Sequence, residues 1–247
     1  MKVATILPVK NLHLEEKNDY HMCLAHIDDR EYWQFFRERV SEGHHVLMDN
    51  GVVENGIPYT IEKILEIATD NLVTEIVLPD QICDREATLA LGEEAITYLA
   101  HDRRSLWLDF MAVPQGESTE EWCECAKAML TWPVRSFGVS RFVAQYAPHR
   151  RDLLEACPEL LGSDREIHLL GCPDDPREIA EVNAAFPGRI RGVDSGIAAM
   201  YSQEGLFAGD GMPKPKVELD FHPDGNQDLS LLESNVSWWR RRCGLNE

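Results

Sequence analysis

Short apolar runs alternate with longer amphipathic ones along the chain. The apolar runs are Val3–Val9, Met22–Ile27, Val46–Asp49, Glu75–Pro79, Leu106–Val113, Ser136–Val139, Ile167–Gly171 and Ile190–Val193. They are short and nearly unbroken, the pattern of strands buried on both faces. Between them, Arg30–Val40, Ile61–Asn71, Ala87–Ala100, Thr119–Leu130, Arg150–Ala156 and Pro176–Ala185 read as helices. Ser118 precedes Thr119-Glu120-Glu121, which predicts an N-cap with Glu121 at the capping-box position. Asp175 before Pro176 predicts a cap followed by a first-turn proline, and Pro187 and Gly188 end that helix.

Strands alternating with helices imply a parallel sheet with helical crossovers. Eight strands predict a closed (β/α)8 barrel, with an open doubly wound sheet as the alternative. The expectation is one domain over residues 1–247, with Leu231–Cys243 as a last helix packing back on the barrel. Gly205–Gln227 reads as an irregular excursion.

In such barrels the chemistry sits where strands end and βα loops begin. The third strand runs into Asp49-Asn50-Gly51, the fourth into Asp80 and the fifth into Gln115-Gly116. The sixth carries Gly138, the seventh Gly171 and the eighth Asp194-Ser195-Gly196. Three aspartates and a glutamine, each from a different strand, would share one rim. Taken singly, each has a plain structural reading: Asp-Asn-Gly is a turn signal and an aspartate after a strand caps a helix. Co-location favours chemistry, with polar residues expected at the strand ends and nowhere else along the strands. Carboxylates crowded in one cleft push at least one pKa upward, which separates acid from base roles.

The 247 residues are 44% hydrophobic and 27% charged, within the globular range, and contain no run long and apolar enough for a membrane span. The N-terminus lacks the pattern of a signal peptide. Seven irregularly spaced cysteines predict a reduced, cytoplasmic chain. Cys123-x-Cys125 reads as core packing. A formal net charge of -19 argues against broad non-specific nucleic-acid binding.

The ordered blocks VATILPV, LMDNG, IVLPD, MAVPQG, FGVSRF, IHLLGCP and RGVDSG resemble the strand-end motifs of the tRNA-guanine transglycosylases. The short form, with LMDNG and VLPD near the start, looks most like the phage and bacterial DNA-guanine transglycosylase branch. The resemblance implies exchange of guanine in DNA for a 7-deazaguanine base such as preQ0 or preQ1, through a covalent aspartyl-glycosyl intermediate. On it, Asp194 matches the nucleophile and Asp49 the general acid/base. Asp80 matches the carboxylate on the guanine edge. Gln115, Gly138 and Gly171 match base-pocket positions, with Leu170 on the base face. The family often forms dimers, so a homodimer is an open expectation.

The chain departs from the tRNA enzymes after Asp194. Only Cys243 and His222 follow it, so the Cys3His zinc site is missing, and no metal or cofactor is expected. The family's aromatic after Asp-x-Gly is replaced by Val52 or Val53, and one aspartate stands where the family has two. Candidate phosphate contacts are Arg141, His149, Arg150 and Arg151, then Lys214, Lys216, Arg240, Arg241 and Arg242. The Trp238-Trp239 pair reads as a packing anchor. Three further functions stay open: a tRNA-directed transglycosylase, a hydrolase or transferase acting on free 7-deazapurine nucleosides, and a non-catalytic partner subunit.

Overall fold

The computed structural model describes residues 1–172, 176–223 and 228–245. Asp175, expected as a helix cap, and the last residues of the 205–227 excursion lie outside them. Eight parallel strands form one sheet: β1 (Lys2–Thr5), β2 (Tyr20–Leu24), β3 (His45–Asp49), β4 (Glu75–Val77), β5 (Asp109–Ala112), β6 (Ser136–Ser140), β7 (Glu166–Leu170) and β8 (Ile190–Ser195). From β2 to β8 consecutive strands pair, and β8 closes onto β1 in the register Asp194 against Ala4. The seam between β1 and β2 has no ladder. There the Asn18 side-chain amide spans it instead, donating to Val3 O at 2.7 Å and Tyr20 O at 2.6 Å. The fold is therefore a nearly closed (β/α)8 barrel.

Helices cover the outside: α1 (Arg30–Ser41), α2 (Val52–Asn55), α3 (Ile61–Asp70), α4 (Arg85–His101), α5 (Thr119–Met129), α6 (Arg150–Glu155), α7 (Pro158–Gly162), α8 (Arg177–Ala185), α9 (Ile197–Gln203) and α10 (Leu229–Arg242). Outward strand residues such as Val46, Ile76, Phe137, Leu169 and Val193 meet them in the main core, together with Trp122 and Trp239. Trp239 is thus the anchor that the sequence suggested. Ser118 caps α5 by accepting from Glu121 N, while Glu121 accepts from Glu117 N, one residue beyond the capping-box position.

Three expectations are corrected. β1 ends at Thr5, because Pro8 cannot donate to a ladder and Val9–Glu15 turns into a 3-10 helix. β5 starts at Asp109, and Leu106 and Trp107 sit exposed in a 3-10 turn before it. The barrel interior is also polar well away from its rim. His45, Glu75, Ser136, His168 and Arg191 all lie on the strands themselves. Above Tyr20, an inner apolar layer of Ala4, Met22, Leu47, Val77, Met111 and Val113 separates the two polar zones on most strands.

All seven cysteines are free thiols, and six of them are buried, including Cys123 and Cys125. Among the described residues no helix is long and apolar enough to cross a membrane.

Candidate active site

Strand alternation turns Asp49, Ser140, Leu170 and Asp194 inward at the C-terminal ends of β3, β6, β7 and β8. Asp80 and Gln115 follow β4 and β5. All six line one cavity of about 470 Å³ at the barrel mouth. Gly171, Arg141, Phe142, Lys214 and Phe221 complete much of its wall.

Asp194 is held on one side only. Its Oδ1 lies 2.9 Å from His168 Nε2 and accepts from Gly171 N at 3.1 Å. Gly171 has φ +72, a left-handed conformation that turns its N–H toward the carboxylate. Among the described residues Oδ2 accepts no hydrogen bond, which leaves it to face the cavity. Asp49 differs. Its Oδ2 accepts from Gly51 N at 3.2 Å. Burial, then the nearby Glu54 and further carboxylates, pushes its pKa up to about 8. At neutral pH it carries a proton it can give.

Asp80 is gripped by two amides. Asn50 donates to Oδ1 at 2.6 Å and Gln115 Nε2 to Oδ2 at 2.6 Å. The orientation of Gln115 is fixed in turn by Cys83, whose N–H donates to Gln115 Oε1 at 3.1 Å. Cys83 adopts φ +60 to do so. Burial raises the Asp80 carboxyl to about 6, and the two amides limit the rise. Above that pH it is an acceptor pair with lone pairs still open to a ligand's N–H groups.

Sequence reasoning placed Asp49, Asp80, Gln115, Leu170, Gly171 and Asp194 at one site, and the structure brings them together. Gly138 is a correction: it does not line the cavity. A Cβ there would lie 2.6 Å from Leu170 Cδ1 and 3.0 Å from both Met111 and Val113, so its bare α-carbon makes room for the cavity floor. Arg150 is a second correction. It is buried against Glu178 and three backbone carbonyls, out of reach of any phosphate. Arg151 points outward on α6 and pairs with Glu155. Arg240 pairs with buried Glu15 near the β1–β2 seam. Of the cationic candidates, Arg141 and Lys214 line the cavity.

Asn50 and His168 were missed. Asn50 was quoted within Asp-Asn-Gly but reads there as a turn residue. His168 is flanked by Ile167 and Leu169 in β7, and its only signal is its inward parity with Leu170. Two aromatic side chains, Phe142 and Phe221, stand on the cavity wall. Among the described residues no group of three or more His, Cys, Asp or Glu side chains is arranged to hold a metal ion.

No protein-family model matches the chain, and no curated protein matches it. Solved structures do resemble it. The carboxyl transferase domain of Rhizobium etli pyruvate carboxylase, solved with pyruvate, is 11% identical with a TM-score of 0.56, over 98% of this chain and 47% of that one. Phosphoribosyl anthranilate isomerase from Thermotoga maritima is 10% identical with a TM-score of 0.49, over 98% of both chains. Proteus mirabilis N-acetylneuraminate lyase is 16% identical with a TM-score of 0.40, over 54% of this chain and 48% of that one. The chain thus spans about half the length of the lyase and of the carboxyl transferase chain. At such identities the likeness concerns the fold alone. Fold and site together define a (β/α)8-barrel protein with a carboxylate-lined pocket at the C-terminal mouth of its strands.

Proposed function

We propose that this protein is a pentosyltransferase of the guanine transglycosylase type, exchanging guanine in DNA for a 7-deazaguanine base. The observation that carries the reading is the division of roles among three carboxyl groups in one cavity. Asp194 presents an unpartnered oxygen, Asp49 holds a proton at neutral pH, and Asp80 offers paired acceptor oxygens backed by amides.

In the first half-reaction Asp194 Oδ2 attacks C1′ of the target nucleotide. The C1′–O bond forms, the C1′–N9 bond breaks, and its electron pair leaves with guanine, which takes the Asp49 proton. Asp80 accepts from the guanine N1–H and N2–H groups, and Gln115 lies beside it. In the second half-reaction a 7-deazaguanine gives its N9 proton to Asp49 and attacks C1′, releasing Asp194. The target base reaches the cavity by leaving the stack. Arg141 and Lys214, the latter also donating to Cys172 O, are the cations on the cavity wall that could meet its phosphate.

A second reading has a specific observation behind it. Arg150, Arg151 and Arg240 pair with carboxylates and Lys214 donates to Cys172 O, on a chain of net charge -19. That favours a free nucleoside or nucleotide over a polymer. Denaturing gels distinguish the readings: the chain is incubated with guanine-containing DNA, with tRNA, and with labelled guanosine monophosphate. A polymer adduct on DNA, absent from Asp194→Asn, supports DNA base exchange. Label transfer from the mononucleotide alone supports the second reading. No adduct and no exchange of labelled guanine in any arm refutes both.

A further inference from the structure

Beneath Asp194, the barrel interior holds a line of polar groups that the base-exchange chemistry does not itself use. His168 on β7 is fully buried. Its Nε2 lies 2.9 Å from Asp194 Oδ1 and its Nδ1 lies 2.7 Å from the Tyr20 hydroxyl, across the barrel on β2. Tyr20 is held by two ring contacts. His45 stacks on it at 5.2 Å with the rings 7° from parallel, and the Arg191 guanidinium carbon lies 5.6 Å from its ring centroid. Its edge fits against β8 only because residue 192 is glycine: a Cβ there would lie 2.7 Å from Tyr20 Cε1. Arg191 is held in turn by Glu75 at 2.8 Å, and Glu75 by His45 at 2.7 Å.

We propose that Tyr20 and His168 are positioning residues for Asp194, a buried relay that pins its Oδ1 and aims its Oδ2 into the cavity. The inference rests on the base-exchange reading for what Asp194 does; the relay's geometry does not.

The direction of each hydrogen bond follows from the partners. Asp194 Oδ1 already accepts from the Gly171 N–H, so it is the acceptor for His168 as well, and Nε2 carries the proton. Burial lowers the His168 pKa, with Asp194, Arg191 and Glu75 as the charged groups facing it, and keeps the imidazole neutral. A neutral ring with its proton on Nε2 has an acceptor at Nδ1. The Tyr20 hydroxyl, whose pKa burial raises, supplies the donor. The Asp194 carboxylate thus sets the tautomer, and the Tyr20 hydroxyl satisfies the remaining ring acceptor from the far side of the barrel and fixes the ring's orientation.

The experiment uses the full chain and two measurements. Long-range ¹H–¹⁵N spectra of the imidazole nitrogens report the tautomer in the resting protein. Wild-type His168 is expected as the neutral Nε2–H form, unchanged between pH 6 and 9. In Tyr20→Phe Asp194 still holds the Nε2–H form, but Nδ1 loses its donor, so its ¹⁵N resonance is expected to move to the position of a free acceptor nitrogen. Single-turnover adduct formation reports the consequence. Displacement of a reacting group by about 1 Å costs on the order of 10²-fold. His168→Leu is therefore expected to slow adduct formation by about that factor, with KM for the nucleic acid unchanged and His168→Gln recovering part of the rate. A wild-type His168 seen as Nδ1–H or imidazolium overturns the relay. So does a Tyr20→Phe chain with the wild-type Nδ1 resonance and rate. A wild type that gives no adduct on any substrate refutes the base-exchange reading instead, and the spectra then decide the relay alone.

Discussion

Replacing Arg150 tests whether a cation beside the active rim serves the fold or the substrate. Its guanidinium is 2% exposed and faces a Glu178 carboxylate that is 7% exposed. The Nη2–Oε2 distance is 2.9 Å, both Nε–Oε distances are 3.2 Å, and the Arg150 backbone N–H also donates to Glu178 at 2.8 Å. Nη1 reaches Val139 O, Leu170 O and Gly171 O, tying the ends of β6 and β7 to α6 beneath the residue that positions Asp194. Arg150→Met leaves a buried carboxylate and three carbonyls without this donor. Breaking a buried pair from one side costs about 3–5 kcal/mol. For a chain of this size each kcal/mol lowers Tm by roughly 2–4 °C, so a drop of about 6–20 °C is expected. The double variant Arg150→Met/Glu178→Leu removes the stranded charge and should recover part of the loss. Urea and thermal unfolding read the stability, and DNA binding at graded salt reads the phosphate contacts. A residue on a phosphate would contribute about 0.9 to the slope of log K against log salt. Near-wild-type stability in Arg150→Met, with a slope shallower by about that amount, would refute the buried-strut reasoning.

Because the Asp49 carboxyl sits near pH 8, single-turnover adduct formation should fall as pH rises through about 8, and Asp49→Asn should remove that limb along with most of the rate. Asn50→Ala takes away one of the amides that hold Asp80 down, so the acid limb of base binding, near pH 6 in the wild type, should move upward in a titration with labelled guanine. Burial opposes the Glu75 charge, but His45, Arg191 and Ser136 outweigh it and bring its pKa from 4.5 to about 2. Its stabilising contribution is therefore present above about pH 4.5 and lost as pH falls toward 2, and Glu75→Gln should flatten acid unfolding over that window. Gly138→Ala drives a methyl into Leu170, and overpacking of this kind costs about 1–3 kcal/mol by urea unfolding, with a weaker fit of the base at the cavity floor.

Much of the site was legible from the alternation of element types. Once eight apolar strands are assigned, parity and the strand-end rule bring Asp49, Asp80, Gln115 and Asp194 to one rim. Arg150 was read wrongly, and the ion pair of Arg240 went unseen, because their partners in space are distant in sequence. Glu178 lies on the next helix but one after Arg150, and Glu15 lies near the other end of the chain from Arg240. A cation on an amphipathic helix looks the same in sequence whether a carboxylate or solvent faces it. His168 escaped for a related reason. One polar residue in an apolar strand is costly by itself, and its partners Tyr20 and Asp194 come from strands on either side of the barrel seam.

Hydrophobic periodicity by itself determined that this chain builds parallel strands with helical crossovers, since only burial on both faces accommodates such unbroken apolar runs. It also determined which strand ends carry carboxylates. The tertiary structure decided what each carboxylate is. Asp49, Asp80 and Asp194 are the same side chain with the same intrinsic acidity, and they diverge through what closure of the barrel sets beside them. Asp49 gains burial and the charge of Glu54, Asp80 gains two amides, and Asp194 gains a histidine and a backbone N–H. Local sequence fixes which groups are present, but hydrogen bonding and desolvation act across space between strands far apart in the chain.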